Sequence, residues 1–195
     1  MRTFYTGDTH FGHQNVIAHC DRRDPATGER FGDINRQDAY LIDLWNATVA
    51  RNDRVIHVGD FAFKCDPKRV RAIFSRLNGQ KFLVIGNHDD RTTLELNWAA
   101  TPQHILNVSD EGQRVVACHY GLRVWPGARR GALHVFGHSH GRLPGNSLST
   151  DVGVDCWDLR PVTLSEIRAR LAVSPAPIDG EIADPETDDN DGAKP

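Results

Sequence analysis

The sequence has few cysteines and no long hydrophobic run, and each shortage excludes a class of protein. Its four cysteines are widely spaced and form no CxxC pair, which argues against a disulfide framework or a cysteine-rich zinc knuckle. No apolar stretch approaches the length that crosses a membrane, and the first predicted strand starts so near Met1 that we expect no signal peptide. These features predict a cytoplasmic protein that does not contact the membrane.

A surplus of positive charge is also missing. The formal net charge is -3, so no overall field attracts the protein to nucleic acid or to an anionic membrane. The net charge does not exclude a local basic patch. No H-E-x-x-H helix is present, which excludes one common class of zinc hydrolase. Hydrophobic residues at 39% and charged residues at 25% are ordinary for a globular domain.

The chain divides into a domain and a tail. Its 195 residues predict one folded domain over residues 1–173, followed by a tail at 174–195. The tail contains four prolines, seven acidic residues and almost no apolar ones. Such a composition buries too little apolar surface to fold, so we expect a disordered tail with no part in the chemistry.

Apolar stretches with strand-like and helix-like spacing alternate along the domain. The order β-α-β-α-β over the first half predicts a layered α/β fold. A long polar loop at Asp21–Asn35 interrupts this order, and loops of that length are often functional. The predicted strands are Arg2–Thr6, Arg54–Val58, Lys81–Ile85, His104–Val108, Arg114–Cys118, Leu133–Phe136 and Thr150–Val154. The predicted helices are Asn15–His19, Arg36–Ala50, Pro67–Leu77 with Asp66 as its N-cap, Arg91–Trp98 and Ser165–Val173.

Five of the apolar runs end in residues that can bind a metal. An open α/β sheet gathers its ligands at the carboxyl ends of its strands, so we expect these residues to converge. Carboxylates, imidazoles and one amide together suit a dinuclear metal centre. The residues are Asp8 and His10, then Asp60, then Asn87 and His88, then His119, and last His138 and His140.

The motifs differ in how specific they are. Asp8-Thr9-His10 alone fits an ordinary surface loop, and Gly59-Asp60 alone fits a common turn. Gly86-Asn87-His88-Asp89 is more specific, because glycine lets the chain turn sharply and present an oxygen beside a nitrogen. The run from Gly137 to Gly141, with two histidines flanking one serine, suits a metal edge better than a packed core. All of them fall just past strand ends, which favours a joint function.

The order D-x-H, G-D, G-N-H-D, H and G-H-x-H resembles that of the calcineurin-like metallophosphoesterases, from about Arg2 to Arg168. The runs Asp8–His13 and Asp151–Asp155 are similar to those of a small bacterial and phage branch. The resemblance implies an α/β fold of four layers, an α-β-β-α sandwich in which helices flank two mixed sheets. The site would then lie between the tops of the two sheets.

The resemblance also implies a role for each residue. It assigns Asp8, His10 and His140 to a first metal, Asn87, His119 and His138 to a second, and Asp60 to a bridge between them. His88 would be the general acid that protonates the leaving oxygen, while a hydroxide bridging the metals attacks phosphorus. Two divalent ions are implied, with Mn²⁺ the best fit and Fe, Zn²⁺, Co²⁺ or Ni²⁺ also suitable.

The predicted function is a metal-dependent phosphoric ester hydrolase. Since the short chain carries no obvious cap domain, we expect an open cleft that favours phosphodiesters such as nucleotides or nucleic-acid ends, with phosphomonoesters still open. The alternative is a catalytically silent binding or scaffold protein with the same fold. No ligand position is substituted, which argues against that alternative. The sequence predicts neither the physiological substrate nor the oligomeric state.

Candidate substrate contacts are His13, Arg129 and Arg130. His13 could touch the substrate, hold a ligand, or merely cap a short helix. Arg129 and Arg130 lie in a loop between two ligand-bearing strands, so we expect the loop to overhang the site and hold phosphate. A solvated loop charge is the plainer interpretation of both, and the same two interpretations apply to Arg22 and Arg23 in the long loop. Asp155 lies outside the matched residues and is interpreted as structural.

Overall fold

Eight strands in residues 1–177, the part of the chain that the computed structural model describes, form two four-stranded sheets. In chain order the strands are β1 (Thr3–Thr6), β2 (Arg54–His57), β3 (Gln80–Leu83), β4 (Ile105–Asp110), β5 (Gln113–Cys118), β6 (Leu133–Phe136), β7 (Ser149–Asp151) and β8 (Val162–Thr163). All seven predicted strands are present. The short β8 was not predicted, because two residues carry no periodic signal.

The helices lie mostly in the first half of the chain. They are α1 (Val16–His19), α2 (Ile34–Thr48), α3 (Pro67–Arg76), α4 (Arg91–Leu94) and α5 (Leu164–Leu171). The predicted cap of α3 is confirmed, since the Asp66 carboxylate accepts hydrogen bonds from the amides of Lys68 and Arg69. The prediction that α4 extends to Trp98 is wrong. The chain turns after Leu94, and Trp98 packs against Phe74 in the core instead.

Both sheets are mixed, as predicted. The first has the order β3-β2-β1-β8, in which only β8 runs antiparallel to its neighbour. The second has the order β4-β5-β6-β7, in which only β4 runs antiparallel to its neighbour. The parallel strands of each sheet therefore end at one edge. A parallel bridge between Gly7 and Gly153 joins the two sheets there.

The sheets pack face to face around an apolar core. Tyr5, Ile56 and Val58 from the first sheet lie in one cluster with Val115 and Val135 from the second. Residues of α2 and α3 pack on the outer face of the first sheet. Helix α5 closes one side of the space between the sheets. A loop containing the short 3-10 turn Ala128–Arg130 covers the outer face of the second sheet. The buried Tyr5 hydroxyl donates to Asp110 Oδ2 at 3.0 Å and links the sheets.

The described residues end inside the predicted tail. Pro175 O accepts a hydrogen bond from Ser147 N at 2.7 Å, so the chain is held beyond the predicted boundary at residue 173. Residues 178–195, which make up most of the predicted tail, lie outside the described residues. Within residues 1–177 the four cysteines are free and no helix has the length and apolarity to cross a membrane. The cytoplasmic location stays a prediction.

The strand ends pack closely around Gly59 at this edge. Its φ is +96°, and a Cβ there would lie 2.6 Å from His119 Nδ1 and 2.7 Å from Gly86 Cα. Gly28 also has a positive φ, at +73°, but a Cβ there meets nothing within 4 Å.

We expect Gly28→Ala to lower the free energy of unfolding only by the left-handed strain, roughly 1–2 kcal/mol. Gly59→Ala should lower it by that strain plus the overpacking, roughly 2–5 kcal/mol in all. Urea denaturation followed by circular dichroism measures both. Equal losses in the two variants would contradict the close packing of the β2 and β3 ends.

Candidate metal centre

The predicted metal ligands converge at the edge where the parallel strands end. Asp8, His10 and His140 form one cluster, and Asp60, His119 and His138 form another; within each, the candidate donor atoms lie within 4.8 Å of one another. Asn87 Oδ1 joins the second cluster at 3.0 Å from His119 Nε2. Asp60 lies between the clusters, since its Oδ2 is 3.5 Å from both His10 Nε2 and His119 Nε2.

The backbone of these residues is strained. Five candidate ligands that are not glycine have a positive φ, between 48° and 64°, and they are Asp8, His10, Asp60, His138 and His140. Residues other than glycine rarely adopt this backbone conformation, and it costs roughly 1–3 kcal/mol at each residue. Hydrogen bonds between the loops hold it in place, for example from Asp8 N to Gly59 O and from His10 N to Asp60 O. Strain concentrated at candidate ligands is typical of a functional site.

The His10 ring is buried without a hydrogen-bond partner. The residue is 3% exposed, and neither ring nitrogen has a partner among residues 1–177. An unsatisfied buried nitrogen normally costs roughly 1–3 kcal/mol. Burial, followed by the positive charges of Arg22 and neighbouring histidines, lowers the pKa of His10 to about 2. The ring is therefore neutral, and its free lone pair fits a metal ligand.

His119 presents a second lone pair. Its Nδ1 is 2.8 Å from Val58 O, and because a carbonyl only accepts, the ring proton resides on Nδ1. Burial lowers the pKa of His119, so the ring is neutral and Nε2 carries the lone pair. That nitrogen faces the oxygens of Asn87 and Asp60. Three acceptors that face one another with no proton between them fit a bound cation.

The buried Asp8 carboxylate also requires a positive charge beside it. Burial raises the pKa of its carboxyl well above the usual range; His140 opposes the rise, and the charges of Asp151 and Asp60 add to it. The amide of His138 donates to this carboxylate at 2.9 Å. A divalent cation beside Asp8 would stabilise the ionised carboxylate. The donor set of carboxylates, imidazoles and one amide therefore fits divalent metal ions.

Asp155 and Cys20 orient the His140 ring. His140 Nδ1 lies 2.6 Å from Asp155 Oδ2 and 3.3 Å from Cys20 Sγ. Although burial lowers the pKa of His140, hydrogen bonds to Asp155 and Cys20 and the charge of Asp8 raise it to about 10. A metal at Asp8 would compete with the proton that His140 otherwise carries on Nε2.

The three groups Cys20, His140 and Asp155 are themselves close enough to hold a metal. Both oxygens of Asp155, however, accept hydrogen bonds from the Arg22 guanidinium. A cation at that point would be repelled by the arginine charge. We therefore interpret Cys20 and Asp155 as partners of the His140 ring, and such partners fix the orientation of a ligating histidine.

Asp89 holds two of the ligand loops together. Its carboxylate accepts from the amides of Asp60 and Phe61 in the loop after β2 and from Gly86 N in the loop after β3, at 2.8–3.0 Å. Burial raises the pKa of Asp89 to about 6. Asp89 is the last residue of the G-N-H-D motif, but no role was predicted for it. Its place directly after two candidate site residues was the available signal.

His88 and His13 lie beside the first cluster. The His88 amide donates to Asp60 Oδ1 at 2.9 Å, and its ring centroid is 5.5 Å from that of His10. The ring centroid of His13 is 5.6 Å from that of His10. Phe63 contacts both, with its ring centroid 4.1 Å from His88 and 4.8 Å from His13. Both histidines therefore lie where a substrate at the candidate metals could meet them.

Arg129 and Arg130 are not brought to this centre. Their turn directly precedes β6, and the next residue, Gly131, accepts a hydrogen bond from Gln113 at the start of β5. The turn is thus at the amino ends of these strands, whereas the candidate ligands follow the carboxyl ends. A connection between parallel strands must cross the whole sheet, so the loop starts beside the site and ends at the far edge. The prediction that it overhangs the site fails for this reason.

Known proteins share the family and the fold of this chain. The family model of the calcineurin-like phosphoesterases matches residues 1–158, and the chain belongs to this family. A protein of unknown function from Aquifex aeolicus, solved by crystallography, superposes with a TM-score of 0.65 at 20% identity, over 87% of this chain and 98% of that one. This likeness confirms the predicted α/β fold with two mixed sheets.

Two relatives come from an archaeon and a phage. An uncharacterized protein of Methanocaldococcus jannaschii is 35% identical over 91 residues, which cover 46% of this chain and 48% of that protein. The gene 66 protein of Mycobacterium phage D29 is 25% identical over 197 residues, which cover 85% of this chain and 93% of the phage protein. The chain thus spans about half the length of the archaeal relative and nearly all of the phage relative.

Proposed function

We propose that this chain is a phosphoric ester hydrolase that depends on two divalent metal ions. One ion binds Asp8, His10 and His140, the other binds Asn87, His119 and His138, and Asp60 binds both. The observation that carries the proposal is the position of Asp60 Oδ2, 3.5 Å from one histidine nitrogen of each cluster. A single carboxylate shared in this way reduces the repulsion between two cations and fixes their spacing.

The bound ions would activate water and stabilise charge on the phosphate during its transfer. Mixed oxygen and imidazole donors suit Mn²⁺ first, and Fe, Zn²⁺, Co²⁺ or Ni²⁺ as alternatives. The chain itself supplies the negative charge of Asp8 and Asp60, which offsets that of the cations. Asn87 and His138 are exposed, so a substrate reaches the second cluster from solvent.

His88 is the proposed general acid. Its amide is held by Asp60, and its ring is packed against Phe63, so the imidazole stays beside the first cluster rather than in solution. From there it donates a proton to the oxygen that leaves phosphorus. His13, on the other side of Phe63, is the remaining proposed contact to the substrate.

Phosphodiesters are the favoured substrates, and the exposed position of Asn87 and His138 supports them because a bulky second ester group is not excluded. The linkages between nucleotides, including those at nucleic-acid ends, belong to this class. A silent binding protein is the alternative function. The intact and convergent set of donors favours the enzyme.

Asp60→Asn should deplete both metals. The change removes the one carboxylate that serves both clusters, so each ion loses charge compensation at once. Metal content is measured by mass spectrometry after Mn²⁺ loading and gel filtration. Asp66→Asn is the matched control, because Asn caps a helix as well as Asp does and residue 66 lies outside the centre. Normal Mn²⁺ content in Asp60→Asn would remove this residue from the bridge.

His88→Ala should leave metal content intact and slow turnover. For alkyl esters, whose leaving oxygen needs a proton, we expect a loss of roughly 10²–10⁴-fold. The loss should be much smaller for p-nitrophenyl esters, because p-nitrophenolate leaves unprotonated. The exposed His104, changed to Ala, is the control and should behave as wild type. A loss that is equal for all leaving groups, or a loss of metal, would refute the general-acid role.

The direct test of the function compares bis-p-nitrophenyl phosphate with p-nitrophenyl phosphate. Protein is stripped of metal, reloaded with Mn²⁺ and assayed with each ester, with and without a chelator. We expect diester turnover to exceed monoester turnover and chelation to abolish both. Preference for the monoester would make the protein a phosphatase. No turnover of either ester by protein that holds two ions would favour the silent binding protein.

A further inference from the structure

Arg22 is buried, although its position in a long polar loop predicts a solvated charge. The residue is 2% exposed, and its side chain is fully enclosed. A buried guanidinium is costly unless its donors are paired and its charge is balanced. Both conditions are met: two partners lie on the turn that carries Asp8 and His10, and the third, Asp155, contacts the candidate ligand His140.

The guanidinium makes four hydrogen bonds of 2.6–2.9 Å. Nε and one terminal nitrogen form a two-pronged contact with the carboxylate of Asp155. The terminal nitrogens also donate to the carbonyls of Asp8 and Thr9. Arg22 thus ties the loop after α1 to the turn after β1 and to the segment after β7. A planar fork of this kind fixes the orientation of its partner more strongly than a lysine would.

The contact to Asp155 continues to a candidate ligand. Asp155 Oδ2 accepts from His140 Nδ1 at 2.6 Å, so a guanidinium, a carboxylate and an imidazole lie in sequence. With Nδ1 engaged, His140 presents Nε2 to the first cluster. The carboxylate cannot rotate away, because Arg22 holds both of its oxygens.

The contacts to the two carbonyls act on the other ligands. Asp8 and His10 have φ values of 53° and 49°, and the carbonyls of Asp8 and Thr9 are the two that lie between these residues. Hydrogen bonds at those oxygens oppose relaxation of the strained turn. Arg22 therefore contacts the groups that hold Asp8, His10 and His140 in place. These three residues are the donors of the first cluster, apart from Asp60, which both clusters share.

Two members of the second cluster have separate supports, whereas the amide of the third, His138, donates to Asp8. His119 is oriented by Val58 O, and the loop that carries Asn87 is held by Asp89. Neither of these contacts involves Arg22. Arg22 therefore reaches the second cluster only indirectly, through Asp8 and His138.

We propose that Arg22 is a positioning residue that sets the affinity of the metal site formed by Asp8, His10 and His140, through Asp155 and the two carbonyls. The proposal rests on the two-metal part of the proposed function, and not on the substrate. It assigns the loop Asp21–Asn35 the role of controlling occupancy of one site. In the other site, the supports of His119 and Asn87 do not involve Arg22.

Mn²⁺ binding to the full chain, measured by calorimetric titration, tests this role. In Arg22→Met and in Asp155→Asn we expect one of the two dissociation constants to rise roughly 10–100-fold and the other to stay within about twofold. Arg22→Lys should recover only part of the loss, because an ammonium cannot make the two-pronged contact. Arg23→Met is the matched control and should keep both constants, since Arg23 is exposed and pairs with Asp21.

The double variant Arg22→Met with Asp155→Asn separates positioning from general stability. If the two residues act in one chain of contacts, the double variant should bind little more weakly than the worse single variant. Thermal unfolding checks that each variant is folded. If Arg22→Met does not fold, Asp155→Asn alone tests the positioning role.

Equal weakening of both sites, or of neither, would overturn the proposal. Wild-type protein that binds two Mn²⁺ ions but hydrolyses no ester would refute the proposed reaction and leave the positioning role intact. Wild-type protein that binds no Mn²⁺ would refute both.

Discussion

The structure depends on a set of buried electron-pair donors that face one another where two sheets end. His10 presents nitrogens with no hydrogen-bond partner in the described part of the chain, His119 directs a lone pair at two oxygens, and Asp8 holds a carboxylate in a dry position. These groups repel one another unless cations lie between them. The parallel strands, the strained turns and the buried supports all serve to hold that arrangement in place.

The supports are divided between the two halves of the centre. Asp89 joins the loops after β2 and β3, while Arg22 joins the turn after β1 to the segment after β7. Asp60 faces donors of both halves, and the Asp8 carboxylate of one half accepts from the amide of His138 in the other. A centre built in this way allows the affinity of one site to change without disturbing the other. The long loop that carries Arg22 is then part of the centre rather than a mere connection.

The sequence predicted most of the fold and the seven donors of the two clusters, because both are encoded locally. An apolar run followed by glycine and a polar ligand defines a strand end, and parallel strands bring their ends together. The pairing of Arg22 with Asp155 was not predicted, because the two residues are 133 residues apart and their contact exists only in the folded chain. Arg129 was misplaced because the return path of a crossover loop leaves no mark in the sequence. The two-residue β8 was too short to give a signal.

The most direct test of the central claim is electron paramagnetic resonance of the protein loaded with two equivalents of Mn²⁺. Two ions that share the Asp60 carboxylate lie close enough for their spins to couple, so the account predicts the spectrum of an exchange-coupled pair. One equivalent should give the simpler spectrum of an isolated ion in a fraction of the molecules. Uncoupled spectra at full loading would mean that the two clusters do not form one dinuclear centre.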